Sequence, residues 1–136
     1  MEKYKLDNDL NLFCIAARSF PHDIGKAFGQ LVDKIECTEG RTFFGISYLD
    51  EKGQVIYKAA VLEMFSGEGK KLGCESYKIK KGTFIAETIH NWQENKASIG
   101  ILFRKMVHEY PDTEFPCVEW YMCQDVKCMV RLANSE

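Results

Sequence analysis

The residue best placed to do chemistry in this chain is Glu119, a carboxylate inside the otherwise apolar segment 117–123 (CVEWYMC). A strand alternates its side chains between two faces, so Glu119 and Tyr121 should share one face. The other face would hold Val118, Trp120 and Met122, turned towards the helices. A carboxylate in an apolar wall is costly unless it is paired. Glu119 can pair with Lys or Arg, take up a proton at a raised pKa, or await a cationic ligand, and the plain alternative is an edge position facing water.

Aromatic side chains occur throughout the predicted strands and their connections. Phe44 and Tyr48 share one face of their strand, and Tyr57 can reach the same cleft from the next strand. Rings together with one carboxylate suit a flat organic cation, through cation–π and charge interactions. The candidate ligand-binding residues are Glu119, Tyr121, Tyr48, Phe44, Tyr57, His90, Trp92 and Phe84.

Other kinds of chemistry find little support in the sequence. The three histidines, at positions 22, 90 and 108, are widely separated, although His90 ends a predicted strand beside Trp92 and could orient a polar ligand group. No His, Cys or carboxylate pair has metal-ligand spacing on a shared face, and no local signature marks a catalytic cysteine. No glycine-rich loop follows a strand and opens a helix. We therefore expect neither a metal nor a cofactor.

The elements that must position these residues follow from apolar periodicity. Strands are predicted at 11–17, 41–49 and 55–64, with an amphipathic helix opening at Pro21 and running to Ile35. After a flexible glycine-rich link at 66–73, strands are predicted at 74–79, 83–90, 117–123 and 127–132, with a helical stripe at 99–110. The two helices begin about 75 residues apart, which indicates an internal duplication.

The pattern predicts an α+β fold in a single domain spanning residues 1–136. Its duplicated β-α-β-β units, at about 11–64 and 74–133, would form an antiparallel or mixed sheet with both helices on one face and a ligand cleft between the repeats. The formal net charge of -2 provides no positive field for nucleic acid. No apolar run is long enough to span a membrane, and the polar N-terminus lacks a signal sequence, so a cytoplasmic protein is expected.

The segment FPCVEWY carries a resemblance to a known family. Its Pro116, Glu119 and Tyr121 fit a Pro-x-x-Glu-x-Tyr pattern, and residues 80–84 (KKGTF) fit the turn and strand that lead towards His90. In these features the chain resembles the GyrI-like small-molecule-binding domain, which is also the effector-binding module of AraC-type and MerR-type multidrug regulators. It departs from that family in reading His90-Asn91-Trp92 where glycine and a Pro-aromatic pair are common. The predicted elements leave no segment of these residues for a helix-turn-helix domain, so we do not expect one here.

The resemblance implies a deep pocket for lipophilic, often cationic, aromatic compounds, with the glutamate at its base. Some members of the family hydrolyse cyclopropane-containing natural products, and others bind a protein such as DNA gyrase. We expect a standalone binding domain rather than an enzyme. The alternatives are a hydrolase for strained electrophiles, with Glu119 as general base and Tyr121 as its hydrogen-bonding partner, or a protein-interaction module such as a gyrase inhibitor.

Overall fold

The computed structural model describes residues 1–134 and confirms an α+β fold. Eight strands are present: β1 Glu2–Leu6, β2 Leu10–Ala16, β3 Phe43–Leu49, β4 Val55–Leu62, β5 Glu75–Ile79, β6 Gly82–Ile89, β7 Thr113–Met122 and β8 Asp125–Leu132. The helices are α1 Ile24–Lys34, α2 Glu68–Lys71 and α3 Ala97–Glu109, with a 3-10 turn at Trp92–Glu94. Within residues 1–134, no helix is both long and apolar enough to cross a membrane.

All eight strands form one antiparallel sheet in the order β1-β6-β8-β7-β3-β4-β2-β5. The sheet curls into a half-barrel. Leu6 of the edge strand β1 and Ile79 of the opposite edge strand β5 accordingly belong to one buried cluster. The predicted duplication of residues 11–64 and 74–133 stays a prediction.

Because the sheet curls, both of its faces are buried. The concave face encloses one core, to which Phe44, Phe84, Val118 and Met129 contribute. The convex face carries α1, which packs through Ala27 and Leu31 on Phe13 and Val61. It also carries α3, which packs through Leu102, Phe103 and Met106 on Cys117, Cys128 and Val130. The expectation that both long helices lie on one face is therefore met.

The expected orientation of β7 was wrong. Val118 and Trp120 face the concave core, whereas Cys117 and Glu119 face the helices. Apolar Val118 and Trp120 were placed against the helices on the assumption that only one face of the sheet is covered. The curl of the sheet supplies a second apolar environment, which takes them instead.

Two further segments differ from expectation. The N-terminal residues form β1, in which Tyr4 and Leu6 alternate with lysines as expected of an edge strand, and β1 pairs with β6. The predicted flexible link contains α2, and its Glu68 forms a buried ion pair with Arg41 while accepting a hydrogen bond from the Met64 backbone N–H at 2.9 Å. Helix α1 begins at Ile24, three residues beyond the predicted opening at Pro21.

Replacement of Leu31 by Ala tests the packing of α1. Leu31 is fully buried, so its truncation should lower the free energy of unfolding by about 2–5 kcal/mol. Its neighbour Val32 is 37% exposed, and Val32→Ala should change the same quantity by less than about 0.5 kcal/mol. Urea denaturation measures both, and equal effects of the two changes would contradict this packing.

Candidate functional site

A cavity of about 1010 Å³ lies between α1 and α3 on the convex face of the sheet. Its floor is formed by β3, β4 and β7. Ile24 and Phe28 of α1 form one wall, and Ile99 and Phe103 of α3 form the other. Exposed apolar side chains at the rim include Phe20, which is 44% exposed, and Phe115, which is 51% exposed. The cavity is therefore mainly apolar and open to solvent.

Strand register brings the polar groups of the floor together. Strand β3 lies between β4 and β7, and Gly45 of β3 is paired with Glu119 of β7. Ser47, two residues along β3, is paired with Tyr57 of β4. Paired residues point to the same face, so Tyr57 and Glu119 both face the cavity.

Gly45 provides the space in which these two side chains meet. A Cβ atom at this position would lie closer than 3.0 Å to both Tyr57 Oη and Glu119 Oε1. Glycine inside a strand often marks a close approach of another group. Only a residue without a side chain allows the tyrosine to reach across β3 to the carboxylate.

The carboxylate of Glu119 is held by two phenols. Tyr57 Oη donates a hydrogen bond to Glu119 Oε1 at 2.9 Å, and Tyr121 Oη donates to the same oxygen. Glu119 is 7% exposed and forms no ion pair with any residue of the described chain, 1–134. Burial raises the pKa of Glu119, and the two phenol hydrogen bonds oppose that shift. The cavity floor thus holds a carboxylate with no protein cation to neutralise it.

The two tyrosines remain hydrogen-bond donors over the whole physiological range. Burial raises the pKa of Tyr57 and of Tyr121, and the neighbouring charge of Glu119 raises both further.

Cys117 also lines the cavity, and burial raises the pKa of its thiol to about 12. A thiol whose pKa is this high is uncharged near neutral pH, so Cys117 lacks the thiolate form that acts as a nucleophile.

Aromatic rings surround the carboxylate. The Phe28 ring lies 6.0 Å from that of Tyr121 and 6.3 Å from that of Tyr57, both edge-on. Trp92 lies 5.1 Å from Tyr121, and Phe20 stacks on Tyr57 at 5.9 Å. These contacts hold the two phenols in place and form flat apolar walls beside them.

The structure brings four of the eight candidate residues together at the cavity: Glu119, Tyr121, Tyr57 and Trp92. Tyr48 borders it, but the Tyr48 ring packs with the concave core, 5.4 Å from Lys58 Nζ. Phe44 and Phe84 lie wholly in that core, and exposed His90 is hydrogen-bonded to Asp125 at 3.0 Å.

Phe44, Phe84 and His90 therefore do not line the cavity, in contrast to the expectation from sequence. For Phe44 the reason is strand parity: Tyr57 is opposite Ser47, so residues 44 and 48 point to the other face. Phe84 points into the concave core, and exposed His90 is hydrogen-bonded to Asp125, the first residue of β8.

Sequence reasoning missed several lining residues. Phe28 was assigned to the apolar stripe of α1, and Ile99 and Phe103 to that of α3, and these stripes do not distinguish a core from a cavity wall. Gly45 could have indicated the site, because a glycine inside the strand segment RTFFGISYL often marks the close approach of another group. Within residues 1–134, no group of three His, Cys or carboxylate side chains is arranged to hold a metal ion.

Gly45→Ala tests the close approach at the floor. The added methyl group would collide with Tyr57 and Glu119, so the free energy of unfolding should fall by about 1–3 kcal/mol. Gly29→Ala on α1 is the matched control, because a Cβ there meets nothing within 4 Å and alanine favours a helix by about 0.5–1 kcal/mol. A tolerated Gly45→Ala would show that the two side chains do not meet over β3.

Glu119→Gln tests the cost of the buried charge. Because the folded-state pKa is raised, the stability that Glu119 contributes is present below the ordinary value of 4.5 and is lost as pH rises through the folded-state pKa. The glutamine variant should therefore gain in free energy of unfolding over the native protein at pH 8, and the gain should shrink at pH 4. Glu109→Gln, at an exposed position, should show no such trend, and a pH-independent effect of Glu119→Gln would contradict the burial of the charge.

No protein-family model matches the chain, and no curated protein matches it in sequence. Solved structures do share its fold. SAV2435 bound to tetraphenylphosphonium aligns with a TM-score of 0.70 at 11% identity, over 98% of this chain and 93% of that chain. A protein assigned to transcription regulation in Staphylococcus aureus MU50 aligns with a TM-score of 0.66 at 11% identity, over 98% and 97% of the two chains.

An integron cassette protein from the mobile metagenome of Vibrio cholerae aligns with a TM-score of 0.65 at 11% identity, over 96% of this chain and 94% of that chain. At such low identity these likenesses show the fold alone.

Proposed function

We propose that this chain is a GyrI-like binding domain that holds lipophilic, often cationic, aromatic molecules between α1 and α3. One observation carries the proposal: Glu119 is buried at the floor of an aromatic cavity, where its hydrogen-bond partners among residues 1–134 are the phenols of Tyr57 and Tyr121. The domain would then bind an effector or sequester a small molecule, in a cytoplasmic protein related to transcription regulators.

Three physical contributions favour binding of a lipophilic cation in this cavity. The apolar walls favour any lipophilic molecule, because burying its apolar surface contributes about 25 cal/mol of binding free energy per Å². The carboxylate favours cations among these lipophilic molecules, because a bound cation offsets the cost of holding a negative charge away from water. The electron-rich faces of Phe28 and Trp92 add a cation–π attraction. A lipophilic cation is the ligand that uses all three.

The fold neighbour that binds tetraphenylphosphonium supports this choice of ligand. Tetraphenylphosphonium is a lipophilic cation whose charge is shielded by four phenyl rings. It suits an aromatic cavity with a single carboxylate. In this chain the same probe tests the proposal directly, with tetraphenylborate as an anion of nearly the same shape.

Tetraphenylphosphonium should bind the native protein, and Glu119→Gln should weaken its binding at least about tenfold, because the charge partner is removed from a buried site. Isothermal titration calorimetry measures the affinity. Thermal unfolding should show about 2.7 kcal/mol of stabilisation at a ligand concentration of 100 times Kd. Glu109→Gln, outside the cavity, should leave affinity unchanged. Equal affinities for the native protein and Glu119→Gln would contradict the proposal.

The pH dependence of binding provides a second test. A bound cation favours the ionised carboxylate, so affinity for tetraphenylphosphonium should fall as pH is lowered through the raised pKa of Glu119. Tetraphenylborate should show the opposite trend, since protonation removes a repulsion. Glu119→Gln should abolish both trends, and a cation affinity that does not vary with pH in the native protein would count against a titrating Glu119.

A hydrolase that uses Glu119 as general base would occupy the same cavity and would lose turnover of a strained electrophile in Glu119→Gln. The geometry favours binding, because both phenols donate to Glu119 and one of its oxygens already accepts two hydrogen bonds. A protein-interaction role would depend on the exposed apolar rim instead, and it would survive Glu119→Gln.

A further inference from the structure

The charged residues of the cavity lining are divided between its floor and its α3 wall. The floor carries Glu119, whereas the α3 wall carries Lys96 and Arg104. The two cations are exposed, and neither forms an ion pair with any residue in the part of the chain that the structure describes, 1–134. The lining thus separates one buried anion from two cations that are free to bind a ligand.

Lys96 and Arg104 are placed to act together. Lys96 immediately precedes α3 and Arg104 lies in its middle. They are eight residues apart, which corresponds to about 12 Å along a helix axis. The exposed Arg104 side chain turns back along α3, and its Nη1 atom is 3.6 Å from where a Cβ would stand on Gly100. Gly100 itself lines the cavity between the two cations. A group bound above Gly100 would lie between both positive charges.

Neighbouring charges do not neutralise this wall. Glu94, Lys105, His108 and Glu109 lie on or near α3, and none of them lines the cavity. On the facing side, Asp23 just before α1 and Lys26 within α1 are likewise absent from the lining. A ligand that carries only a positive charge would neutralise Glu119 at the floor, but it would be repelled by the two cations on the α3 wall.

We propose that the preferred ligand carries charges of both signs: a lipophilic aromatic body, a cationic or proton-donating group at Glu119, and an anionic group such as a carboxylate held between Lys96 and Arg104. This inference rests on the proposed binding function and narrows its ligand class from lipophilic cations to zwitterionic amphiphiles. The carboxylate accepts hydrogen bonds from the guanidinium and the ammonium.

A matched pair of dyes tests this ligand class. Rhodamine 110 carries a free carboxylate beside its cationic ring system, and rhodamine 123 is its methyl ester, which keeps only the positive charge. Fluorescence anisotropy measures both affinities. Native protein should bind rhodamine 110 about three- to tenfold more tightly, as expected for two exposed charge contacts. Raising the salt concentration should reduce this ratio, because exposed charges are screened.

Lys96→Gln combined with Arg104→Gln should bring the ratio to about one while rhodamine 123 still binds. Both substitutions are at exposed positions, so the fold should be kept, and circular dichroism checks this. Lys26→Gln combined with Lys105→Gln removes the same net charge outside the cavity and should preserve the preference for rhodamine 110.

The outcomes separate this inference from the proposed function. Glu119-dependent binding of rhodamine 123 without preference for rhodamine 110 would overturn the zwitterion inference and leave the proposed function standing. A preference that persists in the Lys96 and Arg104 double variant would also overturn it. Failure of both dyes to bind would overturn the inference and the proposed function together.

Discussion

The carboxylate of Glu119 is buried, and within the described part of the chain it accepts hydrogen bonds from the hydroxyls of Tyr57 and Tyr121 and pairs with no cation. Phenol hydrogen bonds stabilise a buried carboxylate less than a protein cation would, so the folded chain holds this charge at a cost. The surrounding structure fits that constraint: Gly45 leaves room for the hydrogen-bonded pair, and Phe28 fixes the position of both phenols. In the proposed function, a ligand that neutralises the carboxylate would offset part of this cost, and its binding would therefore stabilise the fold.

The curled sheet makes such a site possible in a small protein. Its concave face encloses an apolar core that includes Phe44 and Phe84, and this core is separate from the two clusters under the helices. The helices α1 and α3 therefore need not close over the middle of the convex face. They cover its two ends through separate clusters and leave a cavity between them. The apolar core and the proposed binding cavity thus lie on opposite faces of one sheet.

The sequence predicted the elements better than it predicted the faces. Strand parity correctly placed Glu119 and Tyr121 on one side of β7, and apolar stripes located α1 and α3 to within a few residues. The alternation of side chains along a strand does not show which face of the sheet lines the cavity, because the curl of the sheet gives both faces apolar surroundings. Phe44 was therefore assigned to the cleft, and Val118 to the helix side. The hydrogen bond from Tyr57 to Glu119 spans 62 residues, and only the strand order β4-β3-β7 brings the two together.

The protonation equilibrium of Glu119 itself tests the central claim most directly. Carbon-13 NMR of the labelled side-chain carboxyl can follow its titration in the free protein and with tetraphenylphosphonium. The account predicts a pKa above the ordinary 4.5 in the free protein and a lower pKa when the cation is bound. An ordinary pKa in the free protein that the cation leaves unchanged would contradict it.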